Sequence, residues 1–198
     1  MEPLMKNTAI NHLKNRLGEL MGDPTALTLF RVAATPVVIV LLLVPNRWTC
    51  LLAGLVFSAA AITDYFDGLL ARQKDMVSEF GKVMDPLADK LLVASTLIML
   101  AKWQWVPAWA VCVIIGRELA VTGLRNIIAQ NEQDVSSSWL GKYKTGFQIA
   151  AMIPLLFHYT YFTVDLNAIG MFFFWGALIF TVWSGIDYFV RYRKLLQP

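Results

Sequence analysis

Residues 48–71 read WTCLLAGLVFSAAAITDYFDGLLA, an apolar stretch that carries two aspartates, Asp64 and Asp67, near its end. An apolar run of about 20 residues is long enough to cross the hydrocarbon core of a bilayer as one helix. A carboxylate inside such a helix costs about 2.5–3.5 kcal/mol on insertion scales, and it therefore indicates a function by default. The stretch predicts both a transmembrane helix and a chemical site close to one membrane face.

The composition of the whole chain agrees with a membrane protein. Of the 198 residues, 57% are hydrophobic and 16% are charged, whereas a soluble domain has about 45–50% and 25%. These values exclude a disordered chain and disfavour a cytosolic domain. We predict an all-α integral membrane domain over residues 23–198 whose six transmembrane helices correspond to the apolar segments 27–44, 48–71, 83–101, 106–127, 145–161 and 167–189.

Residues 1–22 differ from the rest because their apolar positions recur at helical spacing. Polar residues lie largely opposite this apolar face, which consists of Ile10, Leu13, Leu17 and Leu20. This pattern is typical of an amphipathic helix that lies in the membrane interface. A solvated N-terminal helix is the alternative. The segment has no signal-peptide pattern of an apolar core followed by a cleavage site.

The positive charges are distributed unevenly over the predicted topology. Six spans place both termini on one side, and all but two of the 17 Lys and Arg residues then lie on that side or nearest to it, the exceptions being Arg47 and Lys102. The positive-inside rule makes this side cytoplasmic. The formal net charge of +3 is too small to indicate a nucleic-acid partner.

Four aspartates lie at the cytoplasmic ends of the second and third spans. Asp64 and Asp67 are three positions apart, and Asp85 and Asp89 are four positions apart, so each pair shares one helix face. The short connection 72–82 predicts that the two spans are antiparallel neighbours and that the pairs converge. Converging carboxylates cannot all stay ionised without cations nearby.

Two kinds of cation satisfy this requirement. Basic residues form one set of candidates, namely Arg72, Lys74, Lys82 and Lys90. Hard divalent ions are the other, and all-oxygen ligation favours Mg²⁺, Mn²⁺ or Ca²⁺ over Zn²⁺. Two metals about 3.5–4 Å apart suit a displacement at phosphorus. Salt-bridged helix packing and a cation-conducting path remain as alternatives to a metal site.

The spacing of these residues resembles the signature of the CDP-alcohol phosphatidyltransferases. Eight residues match it at fixed gaps over 26 positions, namely Asp64, Asp67, Gly68, Ala71, Arg72, Gly81, Asp85 and Asp89. The sequences 24–31, 85–90, 116–118, 124–125 and 141–145 look similar to the bacterial phosphatidylglycerophosphate synthase branch of that family. Thr25 departs from the Asn that many members carry.

The resemblance implies a bacterial cytoplasmic (inner) membrane enzyme, usually a homodimer, with its active site open to the cytoplasm. The implied reaction transfers the phosphatidyl group from CDP-diacylglycerol to sn-glycerol 3-phosphate and releases CMP. Another acceptor, inositol phosphate or phosphatidylglycerol, is the alternative within the family. A divalent-cation transporter is the alternative outside it.

The resemblance also assigns roles to individual residues. It implies that Mg²⁺ or Mn²⁺ is bound by Asp64, Asp67, Asp85 and Asp89, with Asp89 also acting as the general base. It implies that the CDP pocket is formed by Thr25, Thr28, Asp64, Asp67, Gly68, Ala71, Arg72, Ser78 and Gly81.

The phosphate of the acceptor needs positive charge of its own. Arg forks bind phosphate bidentately and Lys adds a point charge, so the candidate holders are Arg117, Arg125, Lys142 and Lys144. The alternatives are that Arg117 pairs with Glu118 or Asp187, and that Lys142 and Lys144 are ordinary flanking charges. A neutral acceptor gives no reason for four additional cations.

Overall fold

The structure, a computed structural model, describes residues 24–70, 79–130, 139–159 and 165–192. Within these ranges, side chains are described except at 24–27, 64–70, 79–86, 89, 127, 129–130 and 139–142. The described part of the chain is all-helical and has no strand. Its six helices are α1 (Pro24–Leu43), α2 (Arg47–Leu70), α3 (Glu79–Lys102), α4 (Ala108–Gln130), α5 (Trp139–Leu156) and α6 (Leu166–Tyr192). The predicted N-terminal helix, 1–22, lies outside the described residues.

The six helices match the six predicted segments in order, but two of them begin four or more residues earlier than expected. α5 spans Trp139–Leu156 where 145–161 was predicted, and α3 begins at Glu79 rather than at 83. In both cases the helix continues through charged residues that precede the apolar run. A helical backbone satisfies its hydrogen bonds whatever the side-chain charge, and an apolar pattern therefore marks the buried part of a helix rather than its first residue.

Polar caps determine where two of the helices begin. Asn46 Oδ1 accepts hydrogen bonds from the backbone N–H groups of Trp48 (2.9 Å) and Thr49 (3.0 Å), and Thr49 Oγ1 accepts one from the Asn46 N–H at 2.9 Å. Asp165 Oδ1 accepts from the N–H groups of Asn167 and Ala168 at the start of α6. These bonds satisfy N–H groups that have no partner inside the helix.

The ends of α1, α3 and α5 meet at one end of the bundle. Trp103 Nε1, just after α3, donates a hydrogen bond to the Leu42 carbonyl near the end of α1 at 2.8 Å. The Trp105 ring stacks on His158, which follows α5, with 3.8 Å between ring centroids. We call residues 44–46, 103–107 and 157–159 the aromatic end, and the opposite end, where α1, α3 and α5 begin, the polar end.

The helix pairs bury one large apolar core to which all six helices contribute, and a smaller cluster between α4 and α6. α5 and α6 form the most extensive pair, α1 packs against both α2 and α3, and α4 packs against α6. Every helix contributes side chains that are at most 1% exposed, among them Leu42, Phe57, Leu97, Ile114, Met152 and Phe174. Close packing of this kind fixes the relative positions of the helices and therefore of the polar groups that they carry.

Gly170 allows the close approach of α6 to α5. A Cβ atom at Gly170 would lie 2.7 Å from Leu155 Cγ and 2.9 Å from the Leu155 backbone nitrogen. Small residues at helix crossings permit such contact. We expect Gly170→Ala to destabilise the fold by about 1–3 kcal/mol, because the backbone of α5 cannot move aside without repacking.

The measurement is the apparent Tm of the purified protein in detergent. Gly146→Ala in α5 is the matched control, since a Cβ there meets nothing within 4 Å and alanine is the better helix former. The control is expected to keep or slightly raise Tm. Equal Tm values for the two variants would contradict the close approach at Gly170.

Only one helix of the described part is both long and apolar enough by itself to cross a membrane, namely Leu166–Tyr192. Shorter apolar stretches occupy Thr28–Leu43 and Arg47–Thr63. Charged residues interrupt other helices, with Asp85, Asp89 and Lys90 in α3 and Arg117 and Glu118 in α4. The six-span topology therefore stays a prediction, while the six-helix, all-α fold is confirmed for the described residues.

Candidate functional site

The four aspartates lie on two unbroken helices at the polar end of the bundle. Asp64 and Asp67 are in the last two turns of α2, which ends at Leu70. Asp85 and Asp89 are in the second and third turns of α3, which begins at Glu79. The helical spacing assumed for each pair is therefore present in the backbone. Among the side chains that the structure describes, no group of three His, Cys, Asp or Glu is placed to hold a metal, and the four aspartates lie outside that set.

Helix α1 lies against both aspartate-bearing helices. Among the described residues, α2 and α3 each make their most extensive contact with α1. The direct convergence of the two aspartate pairs stays a prediction. Thr28 and Arg31, near the start of α1, are buried with 3% and 4% exposure. A buried guanidinium requires polar or anionic surroundings. The wall that α1 contributes to the polar end is thus polar, and it includes the predicted residue Thr28.

Three charged side chains from α4 and α5 converge next to this region. Lys144 Nζ donates a hydrogen bond to Glu118 Oε1, and Arg117 Nη1 lies 3.6 Å from the same oxygen. Lys144 is only 6% exposed, so it is a buried partner rather than a solvated flanking charge. The alternative that Arg117 pairs with Glu118 is observed, while Asp187 pairs with Arg191 at 3.2 Å.

Helix α6 fixes the other side of the Arg117 guanidinium. Arg117 Nη2 donates a hydrogen bond to Ser184 Oγ at 2.6 Å. Gly185 makes room for this arm, since a Cβ there would lie 3.0 Å from Arg117 Cγ. Arg117 Nε is buried and has no hydrogen-bond partner within the described part of the chain. A buried donor without a partner is uncommon in folded proteins, and it leaves this guanidinium with capacity for a further acceptor.

Tyr188 positions the second predicted arginine, and the sequence analysis did not single it out. Arg125 Nε donates to the Tyr188 hydroxyl at 3.1 Å, and the guanidinium lies over the Tyr188 ring at 5.1 Å from its centroid. Tyr188 is 2% exposed. The available signal was the spacing of Ser184, Gly185 and Tyr188, which puts three small or polar residues on one face of α6.

Lys90 links the aspartate-bearing helix to the cations of α4. Lys90 directly follows Asp89 in α3, and its Nζ donates a hydrogen bond to Thr122 Oγ1. The Thr122 hydroxyl in turn donates to the Glu118 backbone carbonyl at 2.6 Å. The turn that carries Asp89 is therefore tied to the turn that carries Arg117 and Glu118. The cations of α4 are thus tied to the helix turn of α3 that carries Asp89.

The other predicted site residues lie on these helices or outside the described residues. Gly68 and Gly81 lie within α2 and α3, Thr25 lies in the first turn of α1, and Lys142 lies in the first turn of α5. Ala71, Arg72 and Ser78 fall in 71–78, outside the described residues. Their roles stay predictions.

The chain is similar to known proteins over most of its length. A family model described as CDP-alcohol phosphatidyltransferase matches residues 21–183. The CDP-diacylglycerol–glycerol-3-phosphate 3-phosphatidyltransferase of Bacillus subtilis (strain 168) is 42% identical over 186 residues, which cover 88% of this chain and 96% of the relative.

Enzymes of the same name from other bacteria are similar over nearly as much of the chain. The protein of Pectobacterium atrosepticum is 37% identical over 180 residues, covering 88% of this chain and 97% of its own length. That of Salmonella choleraesuis is 37% identical over 172 residues, covering 83% and 91%. With the aspartate spacing on α2 and α3, these matches show that the chain belongs to the CDP-alcohol phosphatidyltransferase family.

Proposed function

We propose that this protein transfers the phosphatidyl group of CDP-diacylglycerol to sn-glycerol 3-phosphate, giving phosphatidylglycerophosphate and CMP. The observation that carries the proposal is the convergence of Arg117 and Lys144 on Glu118, joined through Thr122 and Lys90 to the turn of Asp89. An acceptor with a phosphate needs such cations close to the reacting group. The relatives named for this reaction support the same acceptor.

The carboxylates of α2 and α3 suit two divalent cations. Four aspartates at helical spacing supply only oxygen ligands, which favours Mg²⁺ or Mn²⁺. In our proposal Asp64, Asp67 and Asp85 bind the metals, with Asp89 at the second one. The metals, when bound, neutralise the diphosphate and polarise the attacked phosphorus.

The CDP moiety is proposed to lie between α1 and the aspartate-bearing helices. Thr28 is buried on the α1 wall, and small residues allow a ligand to approach the backbone closely. Arg72 supplies positive charge to the departing CMP. The other proposed contacts are Thr25, Asp64, Asp67, Gly68, Ala71, Ser78 and Gly81.

The chemical step is proposed as a single displacement. Asp89 takes the proton from the 1-hydroxyl of glycerol 3-phosphate. That oxygen forms a bond to the phosphatidyl phosphorus as the bond from this phosphorus to the CMP oxygen breaks, and CMP leaves with the electron pair. Arg117, Arg125, Lys142 and Lys144 hold the acceptor phosphate. A phospho-aspartate intermediate would give retention at phosphorus, whereas the proposed step gives inversion.

The proposed setting is a bacterial cytoplasmic membrane, with six spans and both termini in the cytoplasm. Large apolar side chains are exposed on the outside of the bundle, for example Val40 (63%), Leu119 (64%) and Phe172 (72%). An exposed apolar surface of this extent suits lipid contact better than water. Residues 1–22 are proposed to lie in the interface, and the enzyme is proposed to be a homodimer.

Transfer to another acceptor and divalent-cation transport would use the cations and carboxylates of the polar end differently. Inositol phosphate also carries a phosphate, and phosphatidylglycerol carries its own phosphodiester, so either could engage the cations. A divalent-cation transporter would need polar groups along a path through the membrane. The opposite end of the bundle is instead built around Trp103, Trp105, His158 and Tyr159.

The test is an assay of purified protein with Mg²⁺, CDP-diacylglycerol and labelled acceptors, followed by CMP release. We expect turnover with glycerol 3-phosphate and its loss on chelation of the metal, with recovery on adding Mg²⁺ or Mn²⁺. Turnover only with inositol phosphate or phosphatidylglycerol would reassign the acceptor. Divalent-ion flux into liposomes with no CMP release from any acceptor would overturn the proposal.

A further inference from the structure

Glu118 is the acidic residue at the centre of the proposed acceptor site, and the reaction as proposed does not use it. Its Oε1 accepts a hydrogen bond from Lys144 Nζ and lies 3.6 Å from Arg117 Nη1. The two cations come from different helices, α5 and α4. Building on the proposed function, we propose that Glu118 is a positioning residue that holds Arg117 and Lys144 together as one binding site for the acceptor phosphate.

The need for such a residue follows from burial and charge. Side-chain exposure is 12% for Arg117, 8% for Lys144 and 19% for Glu118. Two cations this close and this little exposed repel each other, and each loses hydration when it is buried. One carboxylate between them offsets both costs. It therefore allows the cations to be in place before the phosphate arrives.

The packing around Arg117 explains why Glu118 is needed to bring Lys144 close to it. Ser184 holds the Nη2 side of the guanidinium against α6, and Gly185 leaves space there for the aliphatic arm of Arg117. Arg117 is thus held toward α6, and in this proposal the Glu118 carboxylate draws Lys144 of α5 toward it. Arginine has five N–H donors, so the contacts of Arg117 with Glu118 and Ser184 do not exhaust its capacity. The buried Arg117 Nε, which has no partner among the described residues, is consistent with a ligand at this point.

The test uses Glu118→Gln, which keeps the shape and removes the charge. We expect the KM for glycerol 3-phosphate to rise about tenfold, the size expected for a hydrogen bond to a charged group. The KM for CDP-diacylglycerol and kcat are expected to change by less than about twofold, since Glu118 acts only through the acceptor cations. Glu118→Asp, which restores the charge, is expected to recover most of the loss.

Two control variants distinguish a failure of the role of Glu118 from a failure of the proposed acceptor site. Asp187→Asn removes an acidic partner from the exposed Arg191 pair and is expected to change neither KM. Arg125→Ala alters the proposed site directly and is expected to raise the KM for glycerol 3-phosphate. An unchanged KM in Glu118→Gln with a raised KM in Arg125→Ala would overturn the role of Glu118 and leave the acceptor site standing.

Other outcomes are also decisive. An unchanged KM in both variants would overturn the acceptor site itself. Equal effects of Glu118→Gln on both substrates, or no rescue by Glu118→Asp, would show that Glu118 is merely structural. Failure of Glu118→Gln to fold while Lys144→Met folds normally would do the same.

Discussion

Asp89→Asn is expected to lower kcat by about 10²–10⁴-fold, the range typical for loss of a positioned general base. The amide keeps the size of the side chain but cannot take the proton from the acceptor hydroxyl. Three of the four aspartates remain to bind metal, so binding of Mg²⁺ and CDP is expected to persist. The measurements are kcat from CMP release and stabilisation of the protein by CDP with Mg²⁺ in a thermal shift assay.

Asp187→Asn is the matched control for this change. Asp187 lies on the same end of the bundle but pairs with the exposed Arg191, and its variant is expected to retain full turnover. An Asp89→Asn enzyme with nearly the parent activity would reject the general-base role. Loss of CDP binding together with turnover would instead assign Asp89 chiefly to the metals.

Lys144→Ala is expected to raise the KM for glycerol 3-phosphate by up to about 100-fold, more than the change expected for Glu118→Gln. The substitution removes a charged hydrogen bond to the phosphate. It also leaves the Glu118 carboxylate without its lysine partner, and this carboxylate then repels the incoming phosphate. The KM for CDP-diacylglycerol is expected to change far less.

Lys102→Ala is the control for Lys144→Ala. Lys102 lies next to the aromatic end, and its Nζ is 5.0 Å from the Trp103 ring centroid. Its variant is expected to leave both KM values unchanged. If Lys144→Ala raised the KM values of both substrates equally, the residue would not belong to a site for the acceptor phosphate. The comparison separates a specific contact from a general effect of positive charge on the protein.

The fold could be predicted from the sequence wherever apolar runs alone determine helices. The ends of α1 and α2 lie within three residues of expectation because Pro45 and Asn46 mark the break between them. The first residue of α5 could not be predicted as closely, because the helix begins before the apolar run and includes the charged residues Lys142 and Lys144. The contact of α1 with both α2 and α3 depends on packing, which no local pattern records.

Part of the candidate site could be predicted from the sequence in the same way, and the rest depends on how the helices pack. The aspartates could be found from spacing, since i,i+3 and i,i+4 positions face together on any helix. The sequence offered the pairing of Arg117 with Glu118 only as one alternative beside Asp187, because adjacent residues on a helix do not ordinarily face each other. Their meeting depends on Lys144 from α5 and Ser184 from α6. The role of Tyr188 likewise becomes visible only when α6 places it against Arg125.

The most direct test of the account is the ratio of kcat/KM for sn-glycerol 3-phosphate to that for glycerol, measured with the same enzyme, Mg²⁺ and CDP-diacylglycerol. Glycerol offers the same hydroxyl but no phosphate for Arg117, Arg125 and Lys144. A site built around a charged group rejects an analogue that lacks it, so we predict a preference of at least about 10³-fold for glycerol 3-phosphate. Equal use of the two acceptors would contradict a cationic acceptor site on α4 and α5.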